Sequence, residues 1–185
     1  MTLMIEREVK LRFNSPEEAR AAIVATGATP LRCRRLQEDA LLDTADQSLR
    51  RRQCVLRIRT ESGKSLLTFK GPVQPGTMKI RDELETVIGD GEVVQHVFEE
   101  LGLQVSFRYE KYREEYAAED VMIALDETPM GTFVEIEGGE QGILMMTEAL
   151  GRTAQDFILD SYRGLFMQYR DKFGLNGQNM VFRDE

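Results

Sequence analysis

Charged side chains recur at alternate positions in one segment of this chain after another. Glu6, Glu8 and Lys10 share one parity, as do Arg57 and Arg59, Arg81, Glu83 and Glu85, Lys111 and Arg113, and Glu135 and Glu137. Lys70 stands in phase with Thr68, and Asp126 ends an apolar run. A β-strand turns successive side chains to opposite faces, so each set would occupy one face of its strand. One solvated face of an antiparallel sheet gives the same pattern, and a single such strand means nothing more. Two features set this chain apart. Its charged faces are almost purely ionic, and their signs are grouped by strand: acids at Glu6/Glu8 and Glu135/Glu137, bases at Arg57/Arg59 and Lys111/Arg113. Adjacent carboxylates suit hard divalent cations such as Mg²⁺ or Mn²⁺. Guanidinium forks and ammonium groups suit phosphate oxygens. A cavity holding both would favour a polyphosphate accompanied by one or two metal ions.

These residues must be positioned by strands, and the hydrophobic pattern supplies them. Ile5, Val9, Leu11 and Phe13 alternate with the first charged set, which predicts a strand over Leu3 to Phe13. Asn14-Ser15-Pro16-Glu17-Glu18 then reads as a helix start, with a capping side chain, proline in the first turn and acids near the positive helix end. Gly27 closes that helix. A second strand is predicted over Arg32 to Asp43, and a hairpin over Val55 to Thr60 and Ser65 to Lys70 around Glu61-Ser62-Gly63-Lys64. Gly71, Pro72, Pro75 and Gly76 mark a loop before a strand over Lys79 to Ile88. Glu92 to Leu101 reads as a short helix burying Val93, Val94, Val97, Phe98 and Leu101. Val105 to Ala117 follows as a long strand, and Val121 to Asp126 pairs with Thr132 to Glu137. Gln141 to Leu150 and Ser161 to Phe173 are helical, and the tail over 174–185 is expected to fray or pack weakly. About eight strands and four helices make an α+β chain, enough strands to close a barrel around one small ligand.

The whole-chain properties narrow the function. A net charge of −8 provides no positive field to draw in a phosphate backbone, so no nucleic-acid partner is expected. No apolar run approaches the ~20 residues that span a bilayer, and the charged strand begins so early that no signal sequence is expected, which makes cytoplasmic the default. Cys33 and Cys54 lack the spacing of a zinc site or disulfide scaffold. His96 is the sole histidine, which argues against a histidine-rich metal site or a Ser-His-Asp triad. Thr68-Phe69-Lys70-Gly71 lacks the glycine-rich approach of a phosphate loop, and Arg50-Arg51-Arg52 reads first as a solvated run, although it could greet a polyanion at a cavity mouth.

With these residues in place, Glu6-Arg7-Glu8-Val9-Lys10 resembles the ExExK signature of the CYTH, or triphosphate tunnel, family. Supporting matches are Leu56-Arg57-Ile58-Arg59, Leu67-Thr68-Phe69-Lys70-Gly71, the Arg81/Glu83/Glu85 strand, Lys111-Tyr112-Arg113, Leu125-Asp126, Phe133-Val134-Glu135-Ile136-Glu137 and Ser161-Tyr162. The resemblance implies an eight-stranded antiparallel tunnel with a polar interior, helices outside it and a single domain over 1–173. It implies Glu6, Glu8, Asp126, Glu135 and Glu137 as ligands for Mg²⁺ or Mn²⁺, and Lys10, Arg57, Arg59, Lys70, Arg81, Lys111 and Arg113 as triphosphate binders. Glu6, Glu8, Lys10 and Lys70 are the catalytic candidates, and Glu83 and Glu85 complete the lining. A monomer or homodimer is expected.

The family includes inorganic and thiamine triphosphatases and class IV adenylate cyclases, which need the same metals and bases. Its cyclases carry a His-Phe pair shortly before ExExK, whereas Met1-Thr2-Leu3-Met4-Ile5 precedes it here, which tilts the expectation towards hydrolysis. A non-catalytic polyphosphate or nucleotide sensor would require a lost ligand, and none of the five acids is missing.

Overall fold

The computed structural model describes residues 4–173 and 177–182; expectations for 1–3, 174–176, 183–185 and the side chain of Phe173 lie outside it. Eight strands are laid down: β1 (Met4–Phe13), β2 (Thr29–Thr44), β3 (Val55–Glu61), β4 (Lys64–Lys70), β5 (Lys79–Ile88), β6 (Leu103–Ala118), β7 (Val121–Thr128) and β8 (Gly131–Gly138). They pair antiparallel in the order β1-β5-β4-β3-β2-β6-β7-β8, and β8 returns to β1 to close a barrel. Among the described residues five α-helices accompany them: α1 (Pro16–Ala25), α2 (Ser48–Arg51), α3 (Gly91–Glu100), α4 (Glu140–Ala149) and α5 (Tyr162–Phe173). The α+β class and the closed antiparallel barrel are those the sequence leads one to expect.

The barrel is inside out relative to most small domains. Its outward parity is apolar: Val9 and Leu11 of β1, Ile123 and Leu125 of β7, and Val134 and Ile136 of β8 are buried beneath Ala19 and Ile23 of α1 and Ile143 and Met146 of α4. The inward parity is left for the charges. Burial of that outer layer is the main stabilising term, at roughly 25 cal/mol per Å² of apolar surface. Local signals set the helices. Ser15 caps α1 by accepting from the Glu18 amide at 3.2 Å, with Pro16 in the first turn. Asp90 caps α3 through the amides of Glu92 and Val93. The β3–β4 turn places Ser62 and Gly63 both at positive φ, the geometry of a tight hairpin.

At one end of the barrel the interior changes character. Phe107 and Tyr109 of β6 and Phe133 of β8 point inward there, with Leu41 of β2 beside them, and Tyr162 and Phe166 of α5 pack onto them. This apolar plug seats α5 across one mouth of the barrel.

Three expectations need correction. β2 begins at Thr29, ahead of Arg32, because its early residues pair with the far end of β6. In α3, Val93, Val97 and Leu101 are exposed, while Val94 and Phe98 are partly buried. The five apolar residues span a wider arc than one-sided contact with the barrel covers. The segment over 177–182 is also no loose end. Met180 is buried in the aromatic cluster, its backbone bonds to Arg108 and Glu110 of β6, and Asn179 and Glu110 add side-chain bonds.

Candidate functional site

Cross-strand register collects the alternating charges into one internal cavity of about 1580 Å³. Glu8 lies opposite Glu137 and Lys10 opposite Glu135 across the β1–β8 seam. On the other side of β1, Glu6 faces Arg81 and Glu8 faces Lys79. Lys70 pairs with Glu83, and Thr68 with Glu85. Arg113 stands opposite Asp126. Thirteen of the fourteen predicted site residues line the cavity; Asp126 does not. It lies wholly buried beneath the lining.

The acids fall into two groups. Asp126 accepts both arms of the Arg113 fork, at 2.7 and 2.6 Å, the Lys111 ammonium at 2.9 Å and the Tyr162 hydroxyl at 2.7 Å. Glu135 pairs with Lys10 at 3.1 Å and with Arg113. Burial alone would raise both carboxyls, but the surrounding cations outweigh it and hold both below the usual carboxylate range. The second group crowds on the other part of the β1–β8 seam. Glu6 pairs with Lys70, yet its Oε2 is buried without a partner. Burial and the adjacent Glu8 raise its pKa. Glu137 has no cation within ion-pairing distance among the described residues, and burial with the charge of Glu6 pushes it up to about 7. Glu8 is the exception in this group: burial opposes its charge, but Lys79 at 2.6 Å takes it down to about 2.

The bases are held by the same lattice. Asp39 accepts the Arg59 fork at 2.9 and 3.2 Å and lies 3.4 Å from Arg57, which also reaches Thr68 and Glu85. The Tyr162 ring lies beneath two ammonium groups, Lys10 at 4.6 Å and Lys111 at 5.0 Å. Burial and the neighbouring Arg113 push Lys111 down to about 8. Beyond Arg113, Arg35 bridges Glu61 at 2.9 Å and Glu115 at 2.8 Å, and Arg32 and Gln37 also donate to Glu61.

Several of these residues escape the sequence reading. Lys79 and Glu115 merely extend the parity of strands already recognised, and Arg35, Gln37 and Asp39 alternate ahead of the apolar run that identifies β2. Glu61 reads as part of a turn, but it ends β3 facing inward. Tyr162 is marked in the sequence as part of the Ser161-Tyr162 match, but nothing there assigns its ring or hydroxyl to the site. His96 is exposed, and both cysteines are free.

Among the described residues, no three Asp, Glu, His or Cys side chains converge closely enough to hold a metal ion as they stand. The donor chemistry nevertheless fits a hard divalent cation. Glu6, Glu8 and Glu137 offer only oxygen, one buried carboxylate oxygen has no partner, and two of the three carboxyls are destabilised as anions by burial and by neighbouring acids. A cation would relieve that repulsion. Asp126, already saturated by four donor contacts, fits the ligand role poorly in this arrangement. No helix among the described residues is long and apolar enough to cross a membrane.

Comparison with known proteins gives a consistent result. The CYTH domain family matches residues 4–143. A protein of Methanocaldococcus jannaschii, provisionally named an adenylate cyclase, is 31% identical over 135 residues, 72% of this chain and 77% of that one. A solved structure from Pyrococcus horikoshii superposes with a TM-score of 0.73 at 27% identity, covering 85% of this chain and 96% of the other. A structure from Hippeastrum, described as an adenylyl cyclase homologue with dominant triphosphatase activity, superposes at 0.65 with 20% identity over 92% of this chain and 96% of its own.

Proposed function

Because the chain belongs to the CYTH domain family, whose members are divalent-metal-dependent enzymes that act on triphosphates, we propose that it hydrolyses a triphosphate inside the barrel. The observation that carries this reading is the cluster of Glu6, Glu8 and Glu137, in which Glu6 and Glu137 are under-compensated, beside a wall of fixed cations. A divalent cation held by those three residues would neutralise phosphate charge and acidify the attacking water. The remaining chemistry belongs to the chain. Lys10, Lys70, Arg57, Arg59 and Arg113 present donors to the triphosphate oxygens, and Arg81 and Lys111 extend that surface. Their carboxylate partners keep them oriented before substrate arrives, so little reorganisation is needed as charge develops on the transferred and leaving groups. Asp126 and Glu135 act here as orienting groups for Arg113, Lys111 and Lys10. The Hippeastrum homologue's dominant triphosphatase activity supports hydrolysis over cyclisation.

The test is product analysis. The protein is incubated with Mg²⁺ or Mn²⁺ and, separately, tripolyphosphate, thiamine triphosphate and ATP. Orthophosphate release from at least one of them is expected. Cyclic AMP and pyrophosphate from ATP without orthophosphate would replace this reading with adenylate cyclase activity. Glu6→Gln and Glu137→Gln should each lower kcat/KM by about 100-fold or more. Near-normal turnover in both variants at ordinary metal concentrations would place the site elsewhere.

A further inference from the structure

Eleven basic side chains line the cavity. Eight have a carboxylate within 4.0 Å: Lys10, Arg32, Arg57, Arg59, Lys70, Lys79, Lys111 and Arg113. Among the described residues, Arg50, Arg81 and Arg163 have none, and these three belong to one neighbourhood. Arg81 of β5 donates to the backbone carbonyl of Gln53 at 3.2 Å, just beyond α2, which carries Arg50. Arg163 of α5 is close enough to Arg50 for the two charges to repel, and burial together with that repulsion lowers its pKa against the weaker opposing pull of Asp43.

Each donates only to neutral acceptors: Arg50 to the Gln47 side chain at 2.8 Å, Arg81 to that carbonyl, and Arg163 to the Ser106 hydroxyl at 3.4 Å. Arg81 is nine-tenths buried, and the Nε atoms of Arg81 and Arg163 are buried without any partner. A buried guanidinium donor left unpaired is costly, and like charges held together compound the cost. The arrangement is also fixed. Asp43, itself buried, accepts the amides of Leu49 and Arg50 at 2.9 and 3.0 Å and so anchors α2. The aromatic plug anchors α5.

We infer that Arg50 and Arg163, reached from the triphosphate surface through Arg81, form an anion subsite at the α5 end of the cavity, which extends the preferred substrate to a linear inorganic polyphosphate longer than three phosphates. The inference rests on the proposed triphosphate reading for the rest of the chain-shaped site. A further phosphoryl unit supplies oxygens of the geometry that guanidinium forks match; Asp43, the carboxylate that acts on Arg163, has its oxygens turned to the amides of Leu49 and Arg50. An organic group at the same place would leave the buried Nε atoms of Arg81 and Arg163 without an anionic partner, whereas Arg50 is exposed to solvent.

The experiment compares tripolyphosphate with tetrapolyphosphate. In wild type, kcat/KM with Mg²⁺ should be higher for tetrapolyphosphate. In the double variant Arg50→Gln/Arg163→Gln the ratio of the two values should fall by about tenfold, the effect of losing one or two charged hydrogen bonds. Calorimetric titration with both polyphosphates in EDTA gives a readout that needs no turnover, and tighter binding of tetrapolyphosphate should be lost in the double variant. Equal losses for the two chain lengths, or no loss in either measurement, would overturn the subsite. If the metal-free binding difference holds while neither polyphosphate is hydrolysed, the subsite stands and the hydrolase reading falls. The single variants show which arginine carries more of the effect, and a wild-type preference for tripolyphosphate in both measurements would also overturn the inference.

Discussion

Of the carboxylates that face the interior of this barrel, the two groups along β1, β7 and β8 are in opposite electrostatic states. Asp126 and Glu135 are enclosed by Arg113, Lys111, Lys10 and the Tyr162 hydroxyl, and their charges are stabilised. Glu6 and Glu137 sit among other acids, with one oxygen unpartnered and both carboxyls pushed upward. The same alternating pattern produces both groups, because both occupy the inward parity of neighbouring strands. The difference lies in what the adjacent strand contributes: β6 brings two bases to Asp126, whereas β1 brings a third acid to Glu137. A satisfied group of this kind holds its cations in place. An unsatisfied one stores repulsion that a metal could relieve.

The comparison can be broken by substitution, and the largest effect should come from the satisfied group. Asp126→Asn leaves Arg113 and Lys111 short of a buried counter-charge and should lower unfolding free energy by about 3 kcal/mol. Denaturant melts of metal-free protein measure it, and a loss well under 1 kcal/mol would remove the distinction drawn here.

Glu61→Gln gives a second case. Burial alone would raise the Glu61 pKa, but hydrogen bonds from Arg35 and Gln37 and the charges of Arg35 and Arg32 hold it below its usual 4.5. Arg35 keeps Glu115 in the variant, so a cost of about 2 kcal/mol is expected at neutral pH. A depressed folded-state pKa means the stabilisation is complete above 4.5 and is lost as pH falls through the lower folded value. The gap between parent and variant should therefore close in acid, and a gap independent of pH would show that packing and not charge is responsible.

The smallest effect should have the opposite sign. Glu137→Gln removes one member of a like-charged group, so the metal-free protein should gain up to about 1 kcal/mol even as turnover collapses. A clear loss of stability would mean that Glu137 is already compensated in the folded chain. Addition of Mg²⁺ should stabilise the parent more than this variant, which thermal melts at fixed protein concentration would read.

The part of this arrangement legible in the sequence was the part with period two. Alternation gives the inward charges on β1, β3, β5, β6 and β8, and the apolar parity between them gives the outer core. What alternation cannot give is the identity of the neighbour across the ladder. Arg113 and Glu137 look equally like site residues along the chain, but one is matched by Asp126 and the other is set against Glu8. Irregular strands hide their charges further: β2 changes register along β6, and its Arg35, Gln37 and Asp39 read as unremarkable polar residues. The arginines at the α5 mouth lie on two helices and a strand, so no single periodicity could have joined them. In the segment over 177–182 a polar composition conceals Met180, one side chain whose burial depends on an aromatic cluster assembled from distant segments.

The β1–β8 seam also governs how such a protein comes into being. β1 precedes β8 in sequence by nearly the whole barrel, and during synthesis it must wait with that edge unpaired until β8 has emerged. Pairing between segments so far apart is slow to form, and an open edge invites wrong partners meanwhile. The carboxylate group straddles that seam, so Glu6 and Glu8 cannot meet Glu137 in any partly folded chain that lacks the closing strand. A truncated or stalled product would carry the ExExK segment and none of its chemistry. Closure of the β1–β8 seam is what brings the three carboxylates together.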